Sequence, residues 1–229
     1  MSKIAGRISL VVGQYFLLKP NKGIGTLFGK FENIQPREVT VVGAGVAGKE
    51  AIGKGIDSGA HVNVLDISEH KLQELAKEFG SENISYINST PENISDAVSK
   101  SDLVIGSVYV VGKEAPKVIT KEMLKGMKPG SVLVDISIDQ GGCFETSKPT
   151  THDSPTFLEN EIVHYCVTNM PGAVPLTATE ALNKVSLSYV ENLANNGIQN
   201  ALDSDEHLRN GLNILDGRIV HPGVKEALE

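Results

Sequence analysis

Residues 43–48 read Gly-Ala-Gly-Val-Ala-Gly and sit directly behind a β-branched run, Val39-Thr40-Val41-Val42. Glycines at this spacing after a strand allow a tight turn at Gly43, a close backbone approach beside Gly45, and close helix–strand packing at Gly48. A helix starting near Val46 and running to about Asp57 would aim its first N–H groups at an anion. A bare G-x-G-x-x-G match also fits an ordinary glycine-rich turn. The dinucleotide reading is favoured by Asp66, 18 residues after Gly48 and at the end of the next apolar run, Val62-Asn63-Val64-Leu65-Asp66. A carboxylate there accepts hydrogen bonds from ribose hydroxyls and repels a 2′-phosphate. The bland role for Asp66 is a strand-end helix cap. Ile67-Ser68-Glu69 follow with no arginine close behind, so the unit predicts NAD rather than NADP. Gly43, Gly45, Val46, Gly48 and Asp66 are the cofactor-binding candidates that follow from the motif.

The rest of the chain continues this alternation. Ser68 is placed to cap a helix through Leu72, Leu75 and Phe79. Further strands are predicted at residues 84–87, 103–106, 132–136 and 162–167, with helices around 93–100 and 121–126. The strands are continuously apolar rather than alternating, which indicates a parallel sheet covered on both faces. The expected class is therefore α/β, a Rossmann-type doubly wound parallel sheet. Ahead of it, Ile4, Ile8, Val11 and Tyr15 fall at helical spacing and predict an amphipathic helix buried along that face. Lys3 and Arg7 before an apolar run superficially resemble a signal peptide. Gln14 interrupts the run, however, and no small-residue cleavage site follows. Residues 19–36 form a glycine-rich connector. Residues 177–203 read as one long helix, and Asp216-Gly217 suits a type I′ hairpin turn. These patterns predict three parts: a linker helix over 1–20, the dinucleotide-binding domain over 21–175, and a C-terminal helical segment over 176–229.

Composition removes several function classes. The net charge of −7 argues against a nucleic-acid partner, which needs a basic face, and against a polybasic membrane surface. No segment is long enough to span a bilayer. Two cysteines form neither a disulfide framework nor a metal spacing, so the cytoplasm is the expected setting. Six scattered histidines give no reason to expect a metal.

A more specific signal lies downstream. The stretch "SVLVDISIDQGGCFETSKPTTHDSPTF" within residues 101–157, and "HYCVTNMPGAVPLTATEAL" over 164–182, resemble the L-alanine dehydrogenase family. So do Met1–Arg7 and the glycine-rich segment after it, and the resemblance covers nearly the whole chain. The related NAD-binding subunit of proton-translocating transhydrogenase typically has a glutamate where Asp139 stands and lacks Pro149-Thr150-Thr151-His152-Asp153. The resemblance implies NAD-dependent, reversible oxidative deamination of L-alanine to pyruvate and ammonia, a step of amino-acid breakdown. It implies that Asp139 lies by the nicotinamide and the substrate amine and takes part in proton handling. It places Asn169 and Met170 on a loop against the nicotinamide, Val108 along the nicotinamide channel, and Ser2, Lys71 and Ser89 against the cofactor further out. Ordinary alternatives are a solvated helix lysine for Lys71 and a helix N-cap for Ser2. His152 and His164 are assigned structural roles, and Cys143 that of a buried small residue with no activating base.

The same resemblance implies a long N-terminal region that none of these residues matches. In the family it forms most of the substrate domain and supplies a lysine for the substrate carboxyl and a histidine for acid–base work. The first helix and the C-terminal helices would then present uncovered apolar faces, expected to meet a homo-oligomeric partner (a hexamer in the family) or a separate N-terminal chain. Two departures stand out: Leu176 where the family has a basic residue, and Val111 where it has proline. The alternatives are a non-catalytic NAD-binding remnant, or a transhydrogenase-like module that needs a partner chain.

Overall fold

The computed structural model describes residues 1–29, 31–110 and 114–228, so Val111 lies outside the described residues. The chain forms two compact units, Met1–Ala173 and Val174–Glu229. The first is built on one sheet. Its strands are β1 (Glu38–Val42), β2 (His61–Asp66), β3 (Ile84–Asn88), β4 (Leu103–Gly106), β5 (Val132–Asp135), β6 (Thr156–Glu159) and β7 (Ile162–Tyr165). Their order across the sheet is β3-β2-β1-β4-β5-β7-β6, parallel except for the β6–β7 pair. The helices are α1 (Ser2–Phe16), α2 (Val46–Asp57), α3 (Glu69–Phe79), α4 (Pro91–Lys100) and the single turn α5 (Lys121–Leu124). Strand order reverses between β1 and β4, and in such sheets the ligand crevice opens at that point, beyond the carboxyl ends of the strands.

The apolar runs explain why both faces are covered. Val42, Val104 and Leu133 point into a core with Ile94, Ala97 and Val98 of α4 and Leu124 of α5. Their neighbours of opposite parity, among them Val41, Leu103, Ile105 and Val134, are also fully buried. A strand with both side-chain sets buried has to read as continuously apolar.

Helix α1 forms as predicted, and its buried face includes Ile8, with Ile4 half-buried, but is rotated away from the C-terminal half of the expected stripe. Val11 and Tyr15 are exposed, whereas Ala5, Gly6, Ser9, Leu10 and Gly13 are buried. The cause is close approach. A Cβ on Gly6 would lie 2.1 Å from the Ala47 carbonyl oxygen of α2, and one on Gly13 would lie 2.5 Å from Leu103 Cδ2 on the sheet. The closest contacts are therefore made at small residues beside Ile8 and Leu10, and a search for large apolar side chains alone overlooks them. Strand β6 was not predicted. It joins β7 through Asn160 and Glu161, both at positive φ (53° and 61°), a two-residue hairpin turn carrying no glycine.

The second unit holds the long helix α6 (Pro175–Ser204), α7 (Glu206–Asn210), a hairpin of β8 (Ile214–Leu215) and β9 (Arg218–Ile219), and α8 (Pro222–Leu228). The unbroken helix expected over 177–203 is interrupted at Gly197, whose φ of 72° and ψ of 167° are not helical. Asp216 and Gly217 both take positive φ, as a type I′ turn requires. Leu176, Leu182, Val185, Leu187 and Val190 of α6 are exposed. No helix among the described residues is long and apolar enough to cross a membrane.

Candidate functional site

A cavity of about 850 Å³ opens over the carboxyl ends of β1 to β5 and β7, within the first unit. The glycine loop forms one wall. The Gly43 N–H donates to the Leu65 carbonyl (2.8 Å), and the Ser107 hydroxyl donates to the Gly43 carbonyl (2.5 Å), so the turn is tied to both flanking strands. Gly43 has a φ of +96°, and a Cβ on it would sit 2.7 Å from the Ser107 carbonyl oxygen. The third glycine is a packing residue: a Cβ on Gly48 would fall 1.9 Å from the Gly43 oxygen. Gly45 differs, because nothing lies within 4 Å of where its Cβ would be. It caps α2 and faces the cavity, leaving open space beside the helix N-terminus.

Asp66 ends β2 almost fully buried. Its Oδ2 accepts from the Ala44 N–H (2.8 Å) and its Oδ1 from the Ser68 N–H (2.9 Å). The carboxylate thus staples the glycine loop to the start of α3, where the Ser68 hydroxyl in turn accepts from the Lys71 N–H. Two oxygens offer about four acceptor positions, so two remain. Lys71 Nζ stands 3.8 Å from Asp66 Oδ2. The Ser89 N–H donates to the Asp66 carbonyl, which brings the end of β3 alongside.

At the other end, residues 136–140 do not extend β5 but turn away as a 3-10 helix that carries Asp139. Asp139 is exposed at the cavity wall, and its Oδ1 accepts from the Asn169 N–H at 3.3 Å. Asn169 is held at a φ of +51°, and its carbonyl is approached by His152 Nε2 (3.3 Å) and by the Gly172 N–H (2.8 Å).

The cavity thus brings together Ser2, Gly43, Gly45, Val46, Asp66, Lys71, Ser89, Val108, Asp139 and Asn169. Two candidates do not line it. Gly48 is buried beneath the loop, and Met170 is buried (3% exposed) behind Asn169. Met1 occupies the N-cap position of α1, so Ser2 is the helix's first residue and not its cap. Pattern reading also passed over Asp135, the last residue of β5. It is fully buried, and burial pushes its carboxyl above the usual carboxylate range against four hydrogen bonds that pull the other way. A charged residue directly behind Val132-Leu133-Val134 in a strand buried on both faces was the available signal, since such a group has to find donors.

His164 does not face the cavity. It lies fully buried on β7, stacked on Phe157, with Nδ1 toward the Ile162 carbonyl (3.0 Å) and Nε2 against the Thr146 hydroxyl (2.8 Å). Burial holds its pKa below the usual 6.5. The unfolded chain therefore binds a proton that the folded chain resists. His164 should lower stability as pH falls below about 6.5, by at most about 1.4 kcal/mol per pH unit until its folded pKa is reached. Urea midpoints measured across pH 7 to 5 should show a steeper acid loss for the parent chain than for His164→Gln. Parallel slopes would remove His164 as the source.

The profile of the "Alanine dehydrogenase/PNT, C-terminal domain" family matches residues 9–222. The chain belongs to this family. It is 47% identical over 227 residues to an alanine dehydrogenase of Halomonas elongata, covering 99% of this chain and 61% of that protein. It is also 47% identical over 229 residues to an alanine dehydrogenase of Mycolicibacterium smegmatis, covering 100% of this chain and 62% of that one. A solved L-alanine dehydrogenase superposes with a TM-score of 0.95 at 43% identity, over 100% of this chain and 63% of that chain. A transhydrogenase from Sinorhizobium meliloti, at 22% identity and a TM-score of 0.76, shares the fold over 96% of this chain and 59% of its own. The chain spans just over three fifths of the length of these alanine dehydrogenases.

Proposed function

We propose that this chain is the NAD-binding part of an L-alanine dehydrogenase, serving the reversible oxidative deamination of L-alanine to pyruvate and ammonia. The observation that carries this reading is the single cavity joining an open glycine-loop cradle and a buried strand-end carboxylate to Asp139 and Asn169. The residues fit a dinucleotide. The open space at Gly45 and the N-terminus of α2 suit a pyrophosphate, and the spare lone pairs of Asp66 suit ribose hydroxyls. Asp66 ends β2 and Asp139 follows β5, three strand spacings or roughly 14 Å along the sheet. That separation suits two acids serving opposite ends of an extended ligand.

When bound, NAD supplies the acceptor for the hydride that leaves the substrate Cα; water then converts the imine to pyruvate and ammonia. In this reading Asp66, with Lys71 and Ser89 beside it, orients the adenosine ribose. Val108 lines the nicotinamide end. Asp139 offers a carboxylate to the substrate amine and takes part in moving its proton, while the Asn169 N–H fixes one of its oxygens. The division into a linker helix (1–20), a cofactor domain (21–175) and a segment of the substrate domain (176–229) belongs to the same proposal. So do a cytoplasmic setting and a homo-oligomer built on the exposed apolar residues of α6.

Transition-state stabilisation needs positioned groups on both sides of a cleft, and the substrate-side lysine and histidine of the family are not among these residues. The chain should therefore bind NAD yet form little NADH from L-alanine on its own. Adding the relatives' N-terminal region as a separate chain should restore turnover. Robust turnover by this chain alone would overturn the division of labour, and absence of NAD binding by calorimetry would overturn the cofactor assignment.

A further inference from the structure

Asp135 raises a question that the NAD-binding reading leaves untouched: why should a sheet strand end in a carboxylate with no exposure at all? Each of its oxygens accepts two hydrogen bonds. Oδ1 takes the Ser137 N–H (2.9 Å) and the Cys143 thiol (3.4 Å), and Oδ2 takes the Cys143 N–H (2.9 Å) and the Ser147 hydroxyl (2.5 Å). Four donors match the acceptor capacity of a carboxylate. They come from both ends of one short segment, with Asp139 between Ser137 and Cys143. The segment is shaped around this group. Gly142 takes a φ of +80°, and a Cβ on it would lie 2.7 Å from Asp135 Oδ2. From the outer side, Lys117 Nζ donates to the Gly141 and Gly142 carbonyls.

We infer that Asp135 is a positioning residue: it gathers Ser137, Cys143 and Ser147 around one buried carboxylate and so sets where the turn bearing Asp139 meets the cavity. It touches no ligand itself. A neutral side chain of the same shape could not replace it. In Asp135→Asn one acceptor oxygen becomes an NH₂ group that faces a backbone N–H, and the turn has to open to relieve the clash of donors. Because Asp139 and Asn169 are linked, displacement of the turn would reach both walls of the nicotinamide end. The ribose end at Asp66, on the far side of the strand reversal, would be undisturbed.

The inference rests on the NAD-binding reading, and the test separates the two. The full chain would be titrated with NADH, followed by its bound fluorescence, and with ADP-ribose, which lacks the nicotinamide. Asp135→Asn should weaken NADH about tenfold, shift the bound emission toward that of free NADH, and leave ADP-ribose within about twofold. Ser147→Ala removes one donor and keeps the carboxylate, so it should lower NADH affinity about threefold with ADP-ribose again unchanged. It carries the comparison should Asp135→Asn not fold. Equal losses for both ligands, or no loss for either, would overturn the positioning role. If the parent chain binds neither ligand, the cofactor reading falls and this inference with it.

Discussion

Gly45→Ala is expected to abolish most NAD affinity while leaving the melting temperature of the chain where it is, whereas Gly48→Ala should damage both. The contrast follows from what a single methyl group would meet. At Gly45 a Cβ has no protein atom within 4 Å, and the backbone sits at an ordinary φ of −71°. Nothing in the folded chain therefore objects to alanine beyond a small difference in N-cap preference. The unfilled volume lies at the helix N-terminus, on the cavity wall, where a pyrophosphate needs to reach the backbone N–H groups. A methyl group there displaces the anion from its hydrogen bonds, and a loss on the order of 100-fold corresponds to about 2.7 kcal/mol, the scale of one or two charge-assisted bonds. At Gly48 the same methyl would be driven to 1.9 Å from the Gly43 oxygen and 2.7 Å from Ser107 Oγ. Backbone cannot yield as a flexible side chain can, so overpacking should cost about 1–3 kcal/mol of stability and distort the loop as well. Calorimetric melting and NAD titration on the two variants provide the check. A Gly45→Ala chain that binds NAD like the parent would mean the space beside Gly45 is not the anion site.

How much of this was legible beforehand depended on how local each cause was. The loop, Asp66 and the Ser68 cap belong to one strand–turn–helix–strand unit, where residue type, spacing and backbone geometry are fixed within about two dozen residues. That unit appears where the spacing placed it. Asp139 and Asn169 stand 30 residues apart and meet only because β5 and β7 are neighbours in the sheet; family resemblance proposed them, and no periodicity could have paired them. The buried face of α1 was legible only in part, at Ile4 and Ile8 and not at Val11 and Tyr15, because it is set also by what small residues allow to come near, which is a property of Ala47 and Leu103 as much as of Gly6 and Gly13. Asp135 was overlooked for a related reason. A strand-ending aspartate reads as the start of a turn, and its four donors become visible only once Ser137, Cys143 and Ser147 fold back upon it.

Asp66→Ala offers the second large effect, and its value lies in separating two jobs that the structure gives to one carboxylate. Asp66 already accepts the Ala44 and Ser68 N–H groups, so part of any loss will come from a loosened loop rather than a lost ribose contact. NADP resolves the ambiguity. A loosened loop penalises both dinucleotides alike. Loss of the ribose acceptor penalises NAD alone, while removing the negative charge lifts the repulsion against a 2′-phosphate. Lys71, 3.8 Å from Asp66, is then left with an ammonium beside the site where that phosphate would sit. Affinity for NAD should fall about 100-fold, the worth of roughly two hydrogen bonds to a charged group. NADP affinity should hold or rise, reversing the preference, and its binding should weaken more steeply with salt than that of NAD. Parallel titrations with both dinucleotides at two ionic strengths measure this directly. Equal losses for NAD and NADP would reduce Asp66 to a structural staple and leave the cofactor preference to other residues.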